Sequence, residues 1–399
     1  MKVGIFHEPA GGMGGAEFVT AVMADVLRSE HDVEIVHHRP EWSIEKLELF
    51  FELDLTGVRS RFLPLPTGSP LYSGLYLPAA RHYWREWDAD VSRPYDLFIA
   101  NVHAVPPFCH APRGVLHVLF PGFARSRAWP WGESSHSRFS RLLDPVRRPV
   151  YEAGWRERMG TYQTRLSISQ YAARWTEEYW GVRTEVLYPP VLVNPANGPK
   201  ENVILCLARF TPVKQQAELL KMFLDYISPQ APPWELVFVG GLSNRPEDQA
   251  YFAELQRAGV SRPVRFVPNA SREQVRSELG RAKIYWHAMG LNVDPDCEPH
   301  KIEHFGIAPV EAMASGCVPV VLGQGGPAEV VRDGECGFSC LDLSQMAQMI
   351  LRLTRDDTLR TKLAIAARWR AADFSVGRFK EQFRAYLDCL LGPVAARTE

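Results

Sequence analysis

The sequence lacks long apolar runs, a cysteine framework and a large net charge. No run of about 18 uncharged apolar residues is present, so no segment predicts a transmembrane helix. The apolar stretch near the N-terminus, Val3 to Phe6, is too short for the core of a signal peptide. Seven cysteines are scattered without regular spacing, which favours reduced thiols and a cytoplasmic location. A net charge of −1 gives no indication of nucleic acid binding.

What is present is the composition of an ordinary globular enzyme, with 46% apolar and 23% charged residues. A chain of 399 residues predicts two domains. Strand-like and helix-like segments alternate in both halves, which is typical of parallel α/β layers. The proline-rich segment 188–200 is the best candidate for a joint. We therefore predict domains at 1–190 and 191–374, followed by an amphipathic C-terminal helix within 375–399.

The stretch KIEHFGIAPVEAMASG, at 301–316, predicts an anion site at the start of a helix. Pro309 suits a first helical turn and Gly316 suits the position after the last, which predicts a helix from about 309 to 315. The first N–H groups of a helix have no partner within it, and they lie at the positive end of the helix dipole. A phosphate group is the natural ligand of such a site.

Two carboxylates flank this predicted phosphate site. We place Glu303 in the loop before the helix and Glu311 in its first turn. Because carboxylates accept hydrogen bonds from hydroxyl groups, the pair suits a sugar nucleotide. The alternative is that Glu311 only complements the helix dipole, which is worth about 0.3–1 kcal/mol, and that Glu303 is a solvated loop residue.

A cation source is predicted in the segment ARFTPVK, at 208–214. Arg209 follows an apolar strand, and Lys214 is expected to open the next helix. In open α/β sheets, ligands bind beyond the carboxyl ends of the strands. Arginine can grip two phosphate oxygens and lysine adds a point charge, so the pair could stabilise a leaving diphosphate. The alternative is that both are ordinary surface charges.

These motifs together resemble glycosyltransferase family 4, whose members are retaining enzymes. The family has an Arg and a Lys five residues apart, two Glu residues eight apart around Phe-Gly, and glycine pairs near the N-terminus and after the second Glu. The matching positions here are Gly14-Gly15, Arg209 and Lys214, Glu303 and Glu311, and Gly325-Gly326 with Glu329. The resemblance covers most of the chain and implies an α/β protein of the GT-B fold. That fold has two facing Rossmann-like domains, an interdomain cleft, and a C-terminal helix that crosses back to the first domain.

The resemblance also implies roles for individual residues. Arg209 and Lys214 would hold the diphosphate, Glu311 the ribose, and Glu303 the donor sugar. The implied catalytic residues are Arg209, Lys214, Glu303 and His117. The implied donor-binding residues are Gly14, Gly15, Gly240, Val267, Asn269, Phe305, Gly306, Ile307 and Glu311.

The first-domain histidine that faces the donor sugar in this family has more than one candidate. His117 lies in the strand-like segment GVLHVLFP. Aligned from the proline of that segment, the position falls on Leu119 instead. His103, at the end of another predicted strand, is the remaining candidate. A histidine at a strand end is commonly a structural residue.

The segment 290–302 is longer than the usual approach to the Glu-x7-Glu motif. Cys297, His300 and His304 have the spacing of half a zinc site. The chain offers no matching pair elsewhere, and the family generally needs no metal. We therefore expect no metal and no resident cofactor, with a nucleotide-diphosphate sugar as co-substrate, and we interpret the segment as a lid.

The expected function is retaining transfer of a hexose from GDP-mannose or a UDP-hexose to a hydroxyl of a glycan or a lipid-linked saccharide. An acceptor that is a small soluble metabolite, or an epimerase or phosphorylase of the same fold, is the alternative. A dinucleotide-dependent oxidoreductase is disfavoured because its third fingerprint glycine would fall on Glu17. The arginine- and tryptophan-rich segment 123–160 could touch anionic lipid, which would put the protein at the inner face of a membrane.

Overall fold

The computed structural model describes residues 1–8, 13–64, 86–122, 154–193 and 198–392. The chain divides into two compact units. The first comprises Met1–Pro190 together with Phe379–Glu399, and the second comprises Val191–Arg378. Each unit is built around its own parallel sheet, and the pattern of strands alternating with helices is confirmed.

The first unit contains a seven-stranded sheet in which every strand pair is parallel. The strand order is β3-β2-β1-β4-β5-β6-β7. Its strands are β1 (Lys2–His7), β2 (Asp32–His37), β3 (Arg59–Phe62), β4 (Leu97–Val102), β5 (Arg113–Val118), β6 (Thr164–Ser167) and β7 (Glu185–Val186). Helices α1 (Gly15–Leu27), α2 (Ile44–Phe51) and α3 (Gln170–Trp180), with helical residues at 86–92 and 154–160, accompany the sheet.

The second unit contains a six-stranded parallel sheet with the order β10-β9-β8-β11-β12-β13. Its strands are β8 (Val203–Leu207), β9 (Glu235–Gly240), β10 (Val264–Pro268), β11 (Ile284–His287), β12 (Val318–Leu322) and β13 (Phe338–Cys340). Its helices are α4 (Gln216–Met222), α5 (Pro246–Gly259), α6 (Arg272–Arg281), α7 (Ile307–Ala314), α8 (Gly325–Val330), α9 (Leu343–Arg355) and α10 (Asp357–Ala371), and α11 (Val376–Leu391) follows them.

Several inner strands are buried along their whole length because helices cover both faces of a parallel sheet. All residues of β4, β11 and β12 are buried. In the second unit the strands and helices share one core, to which Trp286 and Phe238 contribute large side chains. Among the described residues, none of the helices is both long enough and apolar enough to cross a membrane.

The order of strands locates the ligand-binding edge of the second unit. The chain builds β8, β9 and β10 outward in one direction and then returns to add β11 on the other side of β8. The connections that follow β8 and β11 therefore leave on opposite faces of the sheet, and a crevice opens between them at the carboxyl edge. The residues for which the sequence predicts contacts with the diphosphate and the sugar follow these two strands.

Several local predictions were wrong. The helix after the Phe-Gly turn begins at Ile307 rather than about 309, so Glu311 lies beyond its first turn. Lys214 ends a short 3₁₀ turn, Pro212–Lys214, instead of opening α4. Helix α10 was not predicted. The arginine- and tryptophan-rich segment 123–160 lies largely outside the described residues.

Candidate functional site

The centre of the candidate site is an ion pair between two residues predicted to bind the donor. Nζ of Lys214 lies 2.6 Å from Oε2 of Glu303 and 3.0 Å from Sδ of Met289. Nε2 of His287, the last residue of β11, lies 3.2 Å from the same glutamate oxygen. The structure thus brings Lys214 and Glu303 together at the carboxyl edge of β8 and β11, where the crevice is expected.

The charges of this cluster hold Glu303 as a carboxylate. Burial would raise the pKa of Glu303, but the charge of Lys214 and the contact with His287 outweigh it and hold that pKa well below its usual range. Burial lowers the pKa of His287, against the opposing effect of Glu303. At neutral pH the cluster therefore contains an ammonium group, a carboxylate and a neutral imidazole.

The loop between Glu303 and α7 is held by the glycine pair that opens α8. The backbone N–H of Gly326 donates to the carbonyl of Glu303 at 2.9 Å. A Cβ atom on Gly326 would lie 2.1 Å from Cα of Phe305, so only glycine allows this approach. Gly306 has φ of +97° and precedes the first residue of α7, Ile307. The glycine pair therefore fixes the loop that carries the predicted sugar contacts.

Glu311 lies in α7 in an environment that disfavours its charge. Burial raises the pKa of Glu311 to about 7, with a smaller opposing effect from Arg272. Glu311 does not serve to complement the helix dipole, because the dipole acts within the first turn and Glu311 lies beyond it. No described residue forms a hydrogen bond to its carboxylate, which is therefore available to a ligand.

The predicted base-binding residues lie together where β9 and β10 end. A Cβ on Gly240 would lie 1.9 Å from the carbonyl oxygen of Ala208, so the strands can pack here only with glycine. The backbone N–H of Asn269 donates to the carbonyl of Gly240 at 2.7 Å, and the side chain of Asn269 accepts from the N–H of Leu242. Val267 is half-buried in β10.

Arg209 follows β8 and has an exposed side chain. Its backbone carbonyl accepts a hydrogen bond from the side chain of Gln216 at 2.7 Å. Among the residues that the structure describes, none makes a hydrogen bond or ion pair with the Arg209 guanidinium. The side chain is therefore free to reach an anionic ligand near the Lys214 cluster.

In the first unit, Gly14 and Gly15 lie at the start of α1. The backbone N–H of Gly14 donates to Oε2 of Glu17 at 3.0 Å. The other carboxylate oxygen of Glu17 lies 3.5 Å from Nε2 of His7, the last residue of β1. Both side chains are buried. The glycine turn is thus tied to the sheet through a buried glutamate, which occupies the position where an oxidoreductase fingerprint would need glycine.

His117 lies deeper in the same unit, within β5, and has no exposed surface. Its Nδ1 is 2.7 Å from Oδ1 of Asn101, whose amide nitrogen donates to Thr20 at 2.9 Å. Thr20 in turn lies 3.0 Å from Nδ1 of His7. Burial lowers the pKa of His117 to about 3. This is the environment of a structural histidine, and a catalytic role for His117 stays a prediction.

The other two candidates for the first-domain histidine differ in exposure. Leu119 is buried, whereas His103 is partly exposed just beyond the carboxyl end of β4. The backbone N–H groups of His103 and Ala104 both donate to Oε2 of Glu8, at 3.2 and 3.0 Å. Burial also lowers the pKa of His103. His103 is therefore the candidate that a ligand could contact.

The segment 290–302 forms turns and one 3₁₀ turn, Pro299–Lys301. Cys297 is exposed, and the side chain of Lys301 pairs with Glu298. Within the described part of the chain, no group of three or more His, Cys, Asp or Glu side chains is arranged to hold a metal ion.

Sequence reasoning missed His287 and Met289. Nothing in the segment KIYWHAMG distinguishes a histidine that contacts a site carboxylate from one that fills the core. The available signal was its position at the end of a strand next to the crevice, and that position depends on strand order.

Comparison with known proteins gives one family match, to glycosyl transferases group 1, over residues 193–370. The chain is 28% identical over 236 residues to a Dictyostelium discoideum protein named GDP-Man:Man(3)GlcNAc(2)-PP-Dol alpha-1,2-mannosyltransferase, covering 54% of this chain and 44% of the relative. It is 33% identical over 187 residues to a D-inositol 3-phosphate glycosyltransferase from Nocardioides, covering 43% of this chain and 38% of the relative. The chain thus spans less than half of the length of these relatives.

Solved structures extend the likeness to both units. The crystal structure of Anabaena HepE in complex with UDP matches with a TM-score of 0.65 and 19% identity, covering 98% of this chain and all of that one. At this identity the likeness concerns the fold, and it confirms the predicted fold class. The chain therefore has the fold of the GT-B glycosyltransferases, and its residues 193–370 match the model of the glycosyl transferases group 1.

Proposed function

We propose that the protein is a retaining, metal-independent mannosyltransferase that moves mannose from GDP-mannose to a hydroxyl of a carbohydrate acceptor, such as a lipid-linked oligosaccharide. The observation that carries the proposal is the Lys214–Glu303 pair beside the start of α7, where cation, carboxylate and helix dipole meet at the carboxyl edge of the sheet. The Dictyostelium relative, whose name specifies GDP-mannose as donor, supports this donor.

The strand order supports a linear arrangement of the donor. The glycine and asparagine that follow β9 and β10 would meet the base. The arginine and lysine that follow β8 would meet the diphosphate, and Glu303, which follows β11, would meet the sugar. These strands are neighbours in the sheet, so the predicted contacts follow the order of the groups in a nucleotide-diphosphate sugar.

The chemistry requires charge to be stabilised as the bond to the diphosphate breaks. Lys214 has three N–H donors, of which Glu303 and Met289 take two, so one remains for a phosphate oxygen. Arg209 would bind the same diphosphate with its free guanidinium. These fixed cations would act where negative charge grows. Glu303 stays ionised and would accept a hydrogen bond from a sugar hydroxyl.

Retention of configuration would follow if the leaving phosphate deprotonates the acceptor on the same face of the sugar. The acceptor is expected at the first unit, where His103 and Glu8 lie beyond the carboxyl end of the sheet. A lipid-linked acceptor would also require the protein to work at a membrane surface.

The direct test is release of GDP from GDP-mannose by the full chain, with UDP-glucose in parallel. We expect GDP release that depends on a saccharide acceptor, and we expect Glu303→Gln and Lys214→Ala each to reduce it strongly. A matched control is Glu254→Gln, which removes an exposed carboxylate in α5 of the same unit. Equal activity of all four proteins would refute the proposal.

A small soluble acceptor is the second candidate. The relative named D-inositol 3-phosphate glycosyltransferase favours it, at 33% identity. The same assay with inositol phosphate in place of a saccharide separates the two acceptor classes.

A further inference from the structure

The side-chain amide of Gln324 has no hydrogen-bond partner within the described part of the chain. Gln324 lies between β12 and α8 and is half-buried. Its Oε1 atom is withdrawn from solvent and accepts no hydrogen bond from any described residue. Polar atoms withdrawn from water are usually paired, because leaving one unpaired costs free energy. An amide that the protein itself leaves unpaired is a candidate for binding a ligand.

Gln324 is next to the Lys214–Glu303 pair. Its Oε1 atom lies 3.7 Å from the position that a Cβ atom on Gly290 would occupy. Gly290 follows Met289, whose Sδ atom lies 3.0 Å from the Nζ atom of that lysine. The neighbouring Gly325 packs closely on the carbonyl oxygen of Glu303, where an added Cβ would lie 2.3 Å from it. Gln324 therefore lies beside the segment after β11 and adjoins the segment that carries the glutamate.

The strand order places Gln324 at the sugar end of the proposed donor site. In the proposed complex the base lies beyond β9 and β10, the diphosphate beyond β8, and the sugar beyond β11. The next strand in the sheet is β12, and Gln324 follows it at the carboxyl edge. The side of the hexose that faces away from the diphosphate would therefore lie near Gln324.

A glutamine amide supplies the hydrogen-bonding capacity that Glu303 lacks. Glu303 stays ionised, and an ionised carboxylate only accepts hydrogen bonds. A hexose hydroxyl both donates and accepts, so a carboxylate alone uses only the O–H groups of the sugar. The amide carries two N–H donors, and its terminal torsion is broad, so these groups can turn toward a bound sugar.

We infer that Gln324 is a further donor-binding residue: its Nε2 group donates a hydrogen bond to a hydroxyl of the donor hexose, next to the hydroxyl that Glu303 binds. The inference rests on the proposed function, since it takes Glu303 to bind the sugar. Sugar binding would give the amide the partner that the described residues do not provide.

The experiment measures the dissociation constants of the full chain for GDP and for GDP-mannose by calorimetry, with UDP and UDP-glucose in parallel. The ratio of the two constants isolates the sugar contact. Gln324→Leu removes the amide at similar volume, and Gln324→Glu keeps the shape but replaces the N–H donors with a carboxylate. The matched control is Gln348→Leu, which removes an exposed glutamine in α9 that also has no hydrogen-bond partner among the described residues.

We expect Gln324→Leu to weaken GDP-mannose binding about fivefold, the order expected for one hydrogen bond, and to change GDP binding by less than about 1.5-fold. Gln324→Glu should weaken GDP-mannose binding relative to GDP binding by at least as much, because it has no N–H group to donate. Gln348→Leu should leave both dissociation constants unchanged.

Thermal unfolding without ligand separates a binding role from a structural one. Because no described residue pairs with the Gln324 amide, Gln324→Leu should leave the unfolding midpoint unchanged or raise it. A lower midpoint together with equal weakening of GDP and GDP-mannose binding would show a structural glutamine and overturn the inference. If the leucine variant fails to fold, Gln324→Ala takes its place in the same comparison.

Two other results would also overturn the inference. An unchanged ratio in Gln324→Leu would show that the amide does not touch the sugar, as expected if it binds only a water molecule. A Gln324→Glu variant that binds GDP-mannose as tightly as the unmodified protein would show that no N–H donor is needed.

Failure of the proposed function has a different signature. If the unmodified protein binds neither sugar nucleotide, the donor site itself is wrong and the inference falls with it. If it binds a sugar nucleotide, the donor site stands, and the ratios measured for the variants decide the role of Gln324 alone.

Discussion

Glu311→Gln should make the protein more stable at alkaline pH while weakening its binding of nucleotide. Burial raises the pKa of Glu311 from 4.5 to about 7, so the folded protein holds its proton over a range where the unfolded chain has lost it. Between those values the unfolded chain binds fewer protons, and stability falls as pH rises. Above pH 7 the Glu311 carboxylate is charged in both the folded and the unfolded state, so the full free-energy cost of burying this charge remains.

A pKa that moves from 4.5 to about 7 corresponds to at most about 3 kcal/mol. Because part of the Glu311 side chain is exposed, we expect a smaller value, about 1–2 kcal/mol. Glu311→Gln removes the ionisable group, so its free energy of unfolding at pH 8 should exceed that of the unmodified protein by this amount. At pH 5 the difference should shrink to less than half.

Urea unfolding of both proteins at pH 5 and pH 8 measures this difference. Glu254→Gln is the control, because that carboxylate is 68% exposed in α5 and its removal should give no comparable gain. In parallel, GDP binding by the unmodified protein should strengthen from pH 6 to pH 8 as Glu311 ionises, and the Glu311→Gln variant should lose this pH dependence. Kinetically, the variant should raise the donor KM more than it lowers kcat. A variant that is less stable than the unmodified protein at pH 8 would refute the reasoning, because it would show that the carboxylate has a stabilising partner.

Arg209→Ala should lower kcat by roughly a hundred- to a thousandfold and weaken donor binding less, because Arg209 is proposed to stabilise charge that develops in the reaction. An effect confined to KM would contradict this role. Transfer should persist in EDTA, since the chain is proposed to supply its own cations; full loss that Zn²⁺ or Mn²⁺ restores would show a metal requirement. Gly326→Ala should lower the free energy of unfolding by about 1–3 kcal/mol and impair donor binding, because the added Cβ would lie 2.1 Å from Cα of Phe305. The control is Gly198→Ala, where an added Cβ meets no atom within 4 Å, and it should leave the thermal unfolding temperature unchanged. Anionic vesicles should retain the protein at low salt and release it at high salt if the segment 123–160 touches lipid; no retention at low salt would contradict that interpretation.

The alternation of apolar strands and amphipathic helices was readable because each element carries its own periodicity. The start of α7 was misjudged because Pro309 is compatible with the first helical turn but does not mark its first residue, and Ile307 and Ala308 carry no capping signal. That difference of two residues moved Glu311 out of the first turn. Local sequence therefore predicts the existence of a helix more reliably than it predicts the residue at which the helix begins. The positions that the helix dipole affects depend on that first residue.

The candidate site was predictable only in part, for a reason of topology. Lys214 and Glu303 are 89 positions apart, and their contact requires that β11 lies beside β8. Motif resemblance suggested both residues, but no spacing in the chain shows that they share an ion pair. His287 and the close approach of Gly326 to Phe305 depend on the same strand order, so they became visible only in three dimensions.

The placement of the site across neighbouring strand ends also bears on how the second unit folds. Lys214, His287 and Glu303 are drawn from segments that meet only when the chain has reversed direction across its sheet. Contacts of such long sequence separation carry a loop-closure cost that local contacts do not. A ligand bound to this cluster would hold the ends of β8 and β11 together and so protect the sheet against local opening.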